Sequence, residues 1–75
     1  MYTLKEEYID LFKETKTMTY FKFIGCDYAF LSSILNGNKS CRIYIAKMII
    51  AVKFDITFRY IEENELLDKY FIKEK

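Results

Sequence analysis

Hydrophobic positions along this chain repeat with a helical period over most of its length and with a strand-like period in one short stretch. Near the start, Leu4, Tyr8, Leu11 and Phe12 recur at the three- to four-residue spacing of a helix face. Thr3 stands before them with Glu6 three residues on, a pair that can satisfy the first free amides of a helix reciprocally. This predicts a first helix that ends in the polar stretch 14–17. Tyr20, Phe21, Phe23 and Ile24 predict a short second helix that stops at Gly25. Asp27 is placed to cap a third, whose inner face carries Leu31, Ile34 and Leu35 and whose outer face carries Ala29, Ser32, Ser33 and Asn36. Asn36-Gly37 is a helix stop, because glycine takes the left-handed conformation that a helix end needs. Ser40 is expected to cap a fourth helix with Ile43, Tyr44, Met48, Ile49 and Val52 inward.

Beyond Asp55 the pattern changes. Ile56, Phe58 and Tyr60 alternate with Thr57 and Arg59, which reads as a strand, although the same residues could open a fifth helix. Asn64 is placed to cap a last helix carrying Leu66, Leu67, Tyr70 and Phe71. The fold class predicted is mainly α: a compact four- to five-helix bundle containing a helix-turn-helix, with a possible short β-strand near the C-terminal end. Residues 1–75 form a single domain, and 55–75 are the candidate dimerisation segment.

Composition sharpens this. A chain of 75 residues buries a smaller share of its surface than a larger domain and has a marginal core. Seven Phe and seven Tyr stand against one Val and three Ala, so large rings must build that core, and some rings are left for a partner. With no His, and with only Cys26 and Cys41 as thiols, no zinc-ligand pattern exists and no metal or cofactor is expected. Spacing alone leaves an intramolecular disulfide open; two reduced thiols serving as small apolar residues are the expectation for a cytoplasmic protein. The longest apolar run, 48–52, is five residues, and no segment resembles a signal peptide, so a soluble cytoplasmic protein without a membrane segment is expected.

Charge is unevenly spread. Residues 1–15 sum to −2, residues 16–54 to +5 and residues 55–75 to −2, for a net charge of +1. Lys39, Arg42 and Lys47 are read as a phosphate-binding edge within the basic middle, in preference to a solvated basic face. Arg42 favours that reading, since a cation in the first turn of a helix opposes the helix dipole unless an anion sits nearby. Phe30 is expected in the core, while Tyr28 could face either the core or a ligand. Glu62, Glu63, Glu65 and Asp68 are read as a solvated acidic face, because no His, phosphate loop or nucleophile–base pair accompanies them.

The block from Gly25 to Ser40 reads Gly-apolar-cap, then Leu-Ser-x-Ile-x-Asn-Gly-x-Lys-Ser. It resembles the helix-turn-helix of the phage repressor and Cro family, including its small prophage-encoded members, over roughly residues 16–54. Ile45, Ala46, Lys47 and Ile49 continue the resemblance into the following helix. Carried over by position, it implies DNA base contacts from Tyr28, Ala29, Ser32 and Ser33. It implies DNA phosphate contacts from Thr17, Asn36, Asn38 and Lys39, joined by Arg42 and Lys47 from the charge pattern. In this architecture the start of the second helix of the motif enters the major groove. The chain departs from the family at Phe21, where a small residue usually lets the two helices approach closely. It also lacks Arg, Gln and Asn at the best base-reading positions, so its groove-facing side chains discriminate weakly.

The function expected is a small DNA-binding transcriptional regulator of repressor or Cro type that catalyses no reaction. Its partners would be double-stranded DNA and a second copy of itself, met through Ile56, Phe58, Tyr60, Leu66, Leu67, Tyr70 and Phe71. The alternative is a phage-encoded antagonist that binds a protein, for example a host defence nuclease, on the same scaffold. Weak readout, acidic ends and many aromatics favour that alternative.

Overall fold

A computed structural model describes residues 1–74. Strand β1, Tyr2–Leu4, pairs antiparallel with strand β2, Phe71–Lys73, in the register Tyr2 to Lys73, Thr3 to Ile72 and Leu4 to Phe71. Between them lie a 3-10 turn, Glu6–Tyr8, and helices α1 (Ile9–Lys13), α2 (Thr17–Ile24), α3 (Tyr28–Leu35), α4 (Ile43–Phe54), α5 (Phe58–Glu63) and α6 (Leu66–Tyr70). The described residues thus form a mainly helical body closed by a two-stranded sheet of its two ends. Its radius of gyration, 11.0 Å, is that of one packed unit of this size.

The core is built from rings at one end and aliphatic side chains in the middle. Phe12, which has no exposed surface, meets Phe54, Tyr70 and Phe71 edge-on at centroid distances of 5.8, 5.4 and 6.3 Å. Phe54 and Tyr70 stack at 5.3 Å, and Tyr8 meets Tyr70 at 4.8 Å. Such pairs add about 0.5–1.5 kcal/mol each beyond the area they bury. Leu31, Ile34 and Leu35 from α3, Ala46, Ile49 and Ile50 from α4, and Ile61 from α5 fill the centre. Tyr20 of α2 is buried, and its hydroxyl donates to the Phe12 carbonyl at 2.6 Å. Burial pushes its pKa up to about 12.

Several local expectations give way to longer-range pairing. Thr3 does not cap a helix. It lies in β1, and the 3-10 turn follows the extended Lys5 with no side-chain cap. Backbone groups here find partners across the chain instead: Tyr2 and Cys41 exchange two backbone hydrogen bonds of 2.7 Å, and Thr3 lies opposite Ile72 of β2. The predicted first helix is accordingly split between that turn and the short α1.

Of the two readings left open for Ile56, Phe58 and Tyr60, the fifth helix is found and the strand is not. Thr57 accepts the Tyr60 amide at 3.1 Å and opens α5, which inserts Ile61 into the core. Asn64 closes α5 by donating to the Tyr60 carbonyl, so it does not cap α6, which begins after Glu65. Nor does Ser40 cap α4. The residue before that helix is Arg42, in an extended conformation and without a side-chain cap. The inward face of α4 is Ala46, Ile49 and Ile50, leaving Ile43 46% and Tyr44 57% exposed. Cys41, just ahead of the helix, is fully buried.

Candidate nucleic-acid interface

Two eight-residue helices, α2 and α3, meet through a three-residue turn. Gly25 ends α2 at φ +74°, and its amide reaches the Phe21 carbonyl at 3.0 Å. A Cβ at Gly25 would touch nothing within 4 Å, so glycine is needed for the left-handed backbone and not for space. Asp27 then caps α3, its carboxylate accepting the Phe30 amide at 3.0 Å. With Leu31, Ile34 and Leu35 buried beneath, the outward positions are fixed. Tyr28 and Ala29 are exposed, and Ser32 and Ser33 are half-buried.

Phe21, the position where the sequence departs from the resembled pattern, is half-buried, and its ring meets that of Tyr28 edge-on at 5.7 Å. The large side chain therefore packs beside Tyr28, a residue that stays 44% exposed. Phe30 is half-buried, and the Lys39 ammonium lies over its ring at 5.7 Å.

The six positions expected to meet phosphate divide into three kinds. Asn38, Lys39 and Arg42 are exposed, and no carboxylate among the described residues pairs with Lys39 or Arg42. Thr17 and Asn36 are half-buried. The Asn36 side chain is oriented at both ends: its oxygen accepts from Lys13 at 2.8 Å and its amide donates to the Ser32 carbonyl at 2.9 Å. Lys47 is engaged elsewhere. Its ammonium pairs with Glu62 at 2.6 Å and its side chain is only 16% exposed, so α5 neutralises this end of the expected basic edge. Lys53 is similarly held by Glu14.

The expected dimer set also divides. Tyr60 is exposed, and Ile56, Phe58, Leu66 and Leu67 are half-buried. Tyr70 and Phe71 are buried within this chain, where they complete the aromatic cluster around Phe12, and so are unavailable to a second copy. Sequence reasoning missed two features. Lys13 bonds to Asn36 from 23 residues away, with no local pattern to announce it. Ile43 and Tyr44 are surface residues, which a helical period cannot reveal where a helix starts beyond the edge of the core.

Both cysteines are unpaired thiols. Burial raises the pKa of each, that of Cys41 to about 11, so Cys41 is protonated at neutral pH and packs as a small apolar residue. The acidic stretch is partly neutralised by Lys47 on Glu62 and by Arg59 on Glu63. Among the described residues no three acidic or thiol side chains converge as a metal site, and no helix is long and apolar enough to cross a membrane.

No protein-family model, no curated protein and no solved structure gives a significant match to this chain.

Proposed function

We propose that this chain is a small DNA-binding regulator of the repressor and Cro type, acting as a homodimer. The observation that carries the reading is the presentation of α3. Its three apolar anchors are fully buried, its start is capped by Asp27, and Tyr28 and Ala29 at that start face outward with Ser32 and Ser33 beside them. Lys39 and Arg42 supply exposed positive charge just past its end. Phosphate contacts would fix register on the duplex, while Ala29 against a thymine methyl and the serines against base edges would give modest sequence preference. A second copy would add a second half-site, met through the exposed or half-buried members of the 56–67 segment.

Titration of duplex DNA at several salt concentrations tests this. Lys39→Ala with Arg42→Ala should weaken binding on every sequence and flatten the slope of log affinity against log salt by up to about 2, near 0.9 per lost contact. Lys47→Ala should leave that slope nearly unchanged, and Ala29→Gln should change preference among sequences at constant slope. A chain that binds neither an operator candidate from its own upstream region nor a scrambled duplex below about 100 μM at moderate salt would sink the DNA reading.

One observation favours the protein-binding alternative: Phe23 is 67% exposed on α2, and Tyr44 is 57% exposed on α4. Exposed rings of this kind anchor protein interfaces more often than they meet phosphate. A phage-encoded antagonist would use them, and Phe23→Ser would then abolish its activity while leaving any DNA affinity intact.

A further inference from the structure

We infer that Lys13, at the end of α1, is a DNA-backbone contact that works as one unit with Asn36; the inference rests on the DNA-binding reading above. Three observations lead there. The Lys13 ammonium is 2.8 Å from the Asn36 side-chain oxygen, which brings the end of α1 to the end of α3. An ammonium has three donors, and this bond uses one. Lys13 is exposed and has no carboxylate partner among the described residues, the neighbouring Glu14 being taken by Lys53.

The Asn36 amide is turned by the same arrangement. With its oxygen on Lys13 and one N–H on the Ser32 carbonyl, a single N–H is left over. The result is a group of spare donors, two on exposed Lys13 and one on half-buried Asn36, just past the C-terminal end of the helix proposed to enter the groove, and it carries a positive charge. A phosphate diester offers the matching acceptors: two unesterified oxygens sharing one negative charge. As a surface bond between a charged and a neutral side chain, the Lys13–Asn36 contact adds little to stability, so replacing Lys13 should change DNA binding without unfolding the chain. Lys13 was invisible to the charge map because it belongs to the acidic segment 1–15.

The test uses Lys13→Met, Lys13→Arg and Asn36→Asp, each titrated with a matched and a scrambled duplex across a salt series and each checked by thermal melting. Lys13→Met should lower the salt slope by about 0.9 and weaken both duplexes by the same factor. Lys13→Arg should keep the slope, because the positive charge is retained. Asn36→Asp should weaken both duplexes by setting a carboxylate against the phosphate. A Lys13→Met protein that melts like the parent and keeps its slope overturns the inference while leaving the DNA reading standing, as does a loss confined to the matched duplex. A parent chain that binds no duplex overturns both.

Discussion

Helices α3 and α5 begin and end alike. Asp27 accepts the Phe30 amide at 3.0 Å, and Thr57 accepts the Tyr60 amide at 3.1 Å. At the other end Asn36 donates to the Ser32 carbonyl at 2.9 Å, and Asn64 to the Tyr60 carbonyl at 3.0 Å. What lies between differs. α3 sets three side chains into the core, while α5 sets only Ile61 there and adds the Lys47–Glu62 ion pair. The residue after each asparagine differs too: Gly37 at φ +74° and Glu65 at φ +53°. Caps decide where a helix starts and stops. The number of buried anchors decides how firmly it is held, and a surface that must present side chains in fixed positions needs the firmer hold.

The largest effects should come from the anchors. Leu31→Ala and Ile61→Ala each remove a fully buried side chain and should cost about 2–5 kcal/mol by chemical denaturation. Their reach should differ. Ile61 is the sole fully buried side chain of α5, so Ile61→Ala should speed amide exchange through all of that helix, whereas Leu31→Ala leaves Ile34 and Leu35 to hold α3. Equal exchange profiles would contradict the anchor argument.

The left-handed positions come next, and they should move in opposite directions. Gly37→Ala forces a side chain into φ +74° and brings its Cβ to 2.9 Å from the Ile9 Cδ1 atom. The Ile9 methyl can move aside, so the cost is mainly backbone strain, about 1–2 kcal/mol. Glu65→Gly relieves the same strain and, after the greater freedom glycine gains in the unfolded chain, should raise stability by up to about 1 kcal/mol. Thermal melts of the two variants shifting in the same direction would break the parallel between the two helix ends.

The caps should give losses no larger than that of Gly37→Ala. Asp27→Ala and Thr57→Ala should each cost about 0.5–2 kcal/mol, measured by urea melts. If Thr57→Ala cost nothing, α5 would be held by its ion pair and Ile61 alone.

The legibility of these regions in the sequence follows the same physics. α3 could be read because three signals agree: Asp27 at its start, Leu31, Ile34 and Leu35 at helical spacing, and Asn36-Gly37 at its end. The outward positions Tyr28, Ala29, Ser32 and Ser33 follow from that reading. For α5 two signals conflicted. The alternation of Ile56, Phe58 and Tyr60 has a strand period, and the Thr57 cap won because Ile61 completes a helical face only in the folded core. The ion pairing of Lys47 and the bond from Lys13 to Asn36 link residues 15 and 23 positions apart, and no local window contains either. The misread capping box at Thr3 has the same origin, since the partner of that residue lies at Ile72.

That pairing of the two ends also has a kinetic meaning. Joining residues so far apart costs loop-closure entropy that grows with the logarithm of the loop, about 4 kcal/mol for a flexible loop on the order of 70 residues. While the chain between them is loose, Leu4 and Phe71 have no core to be buried in, and three residue pairs alone do not repay this. Once the helices have packed, the ends are already near each other and most of that entropy is gone. The sheet is therefore a late event in folding and an early one in opening. Until it closes, Phe12 lacks Phe71 as a neighbour and the ring cluster at that end stays incomplete. The ends of this chain act as a latch on a body that the helices assemble first.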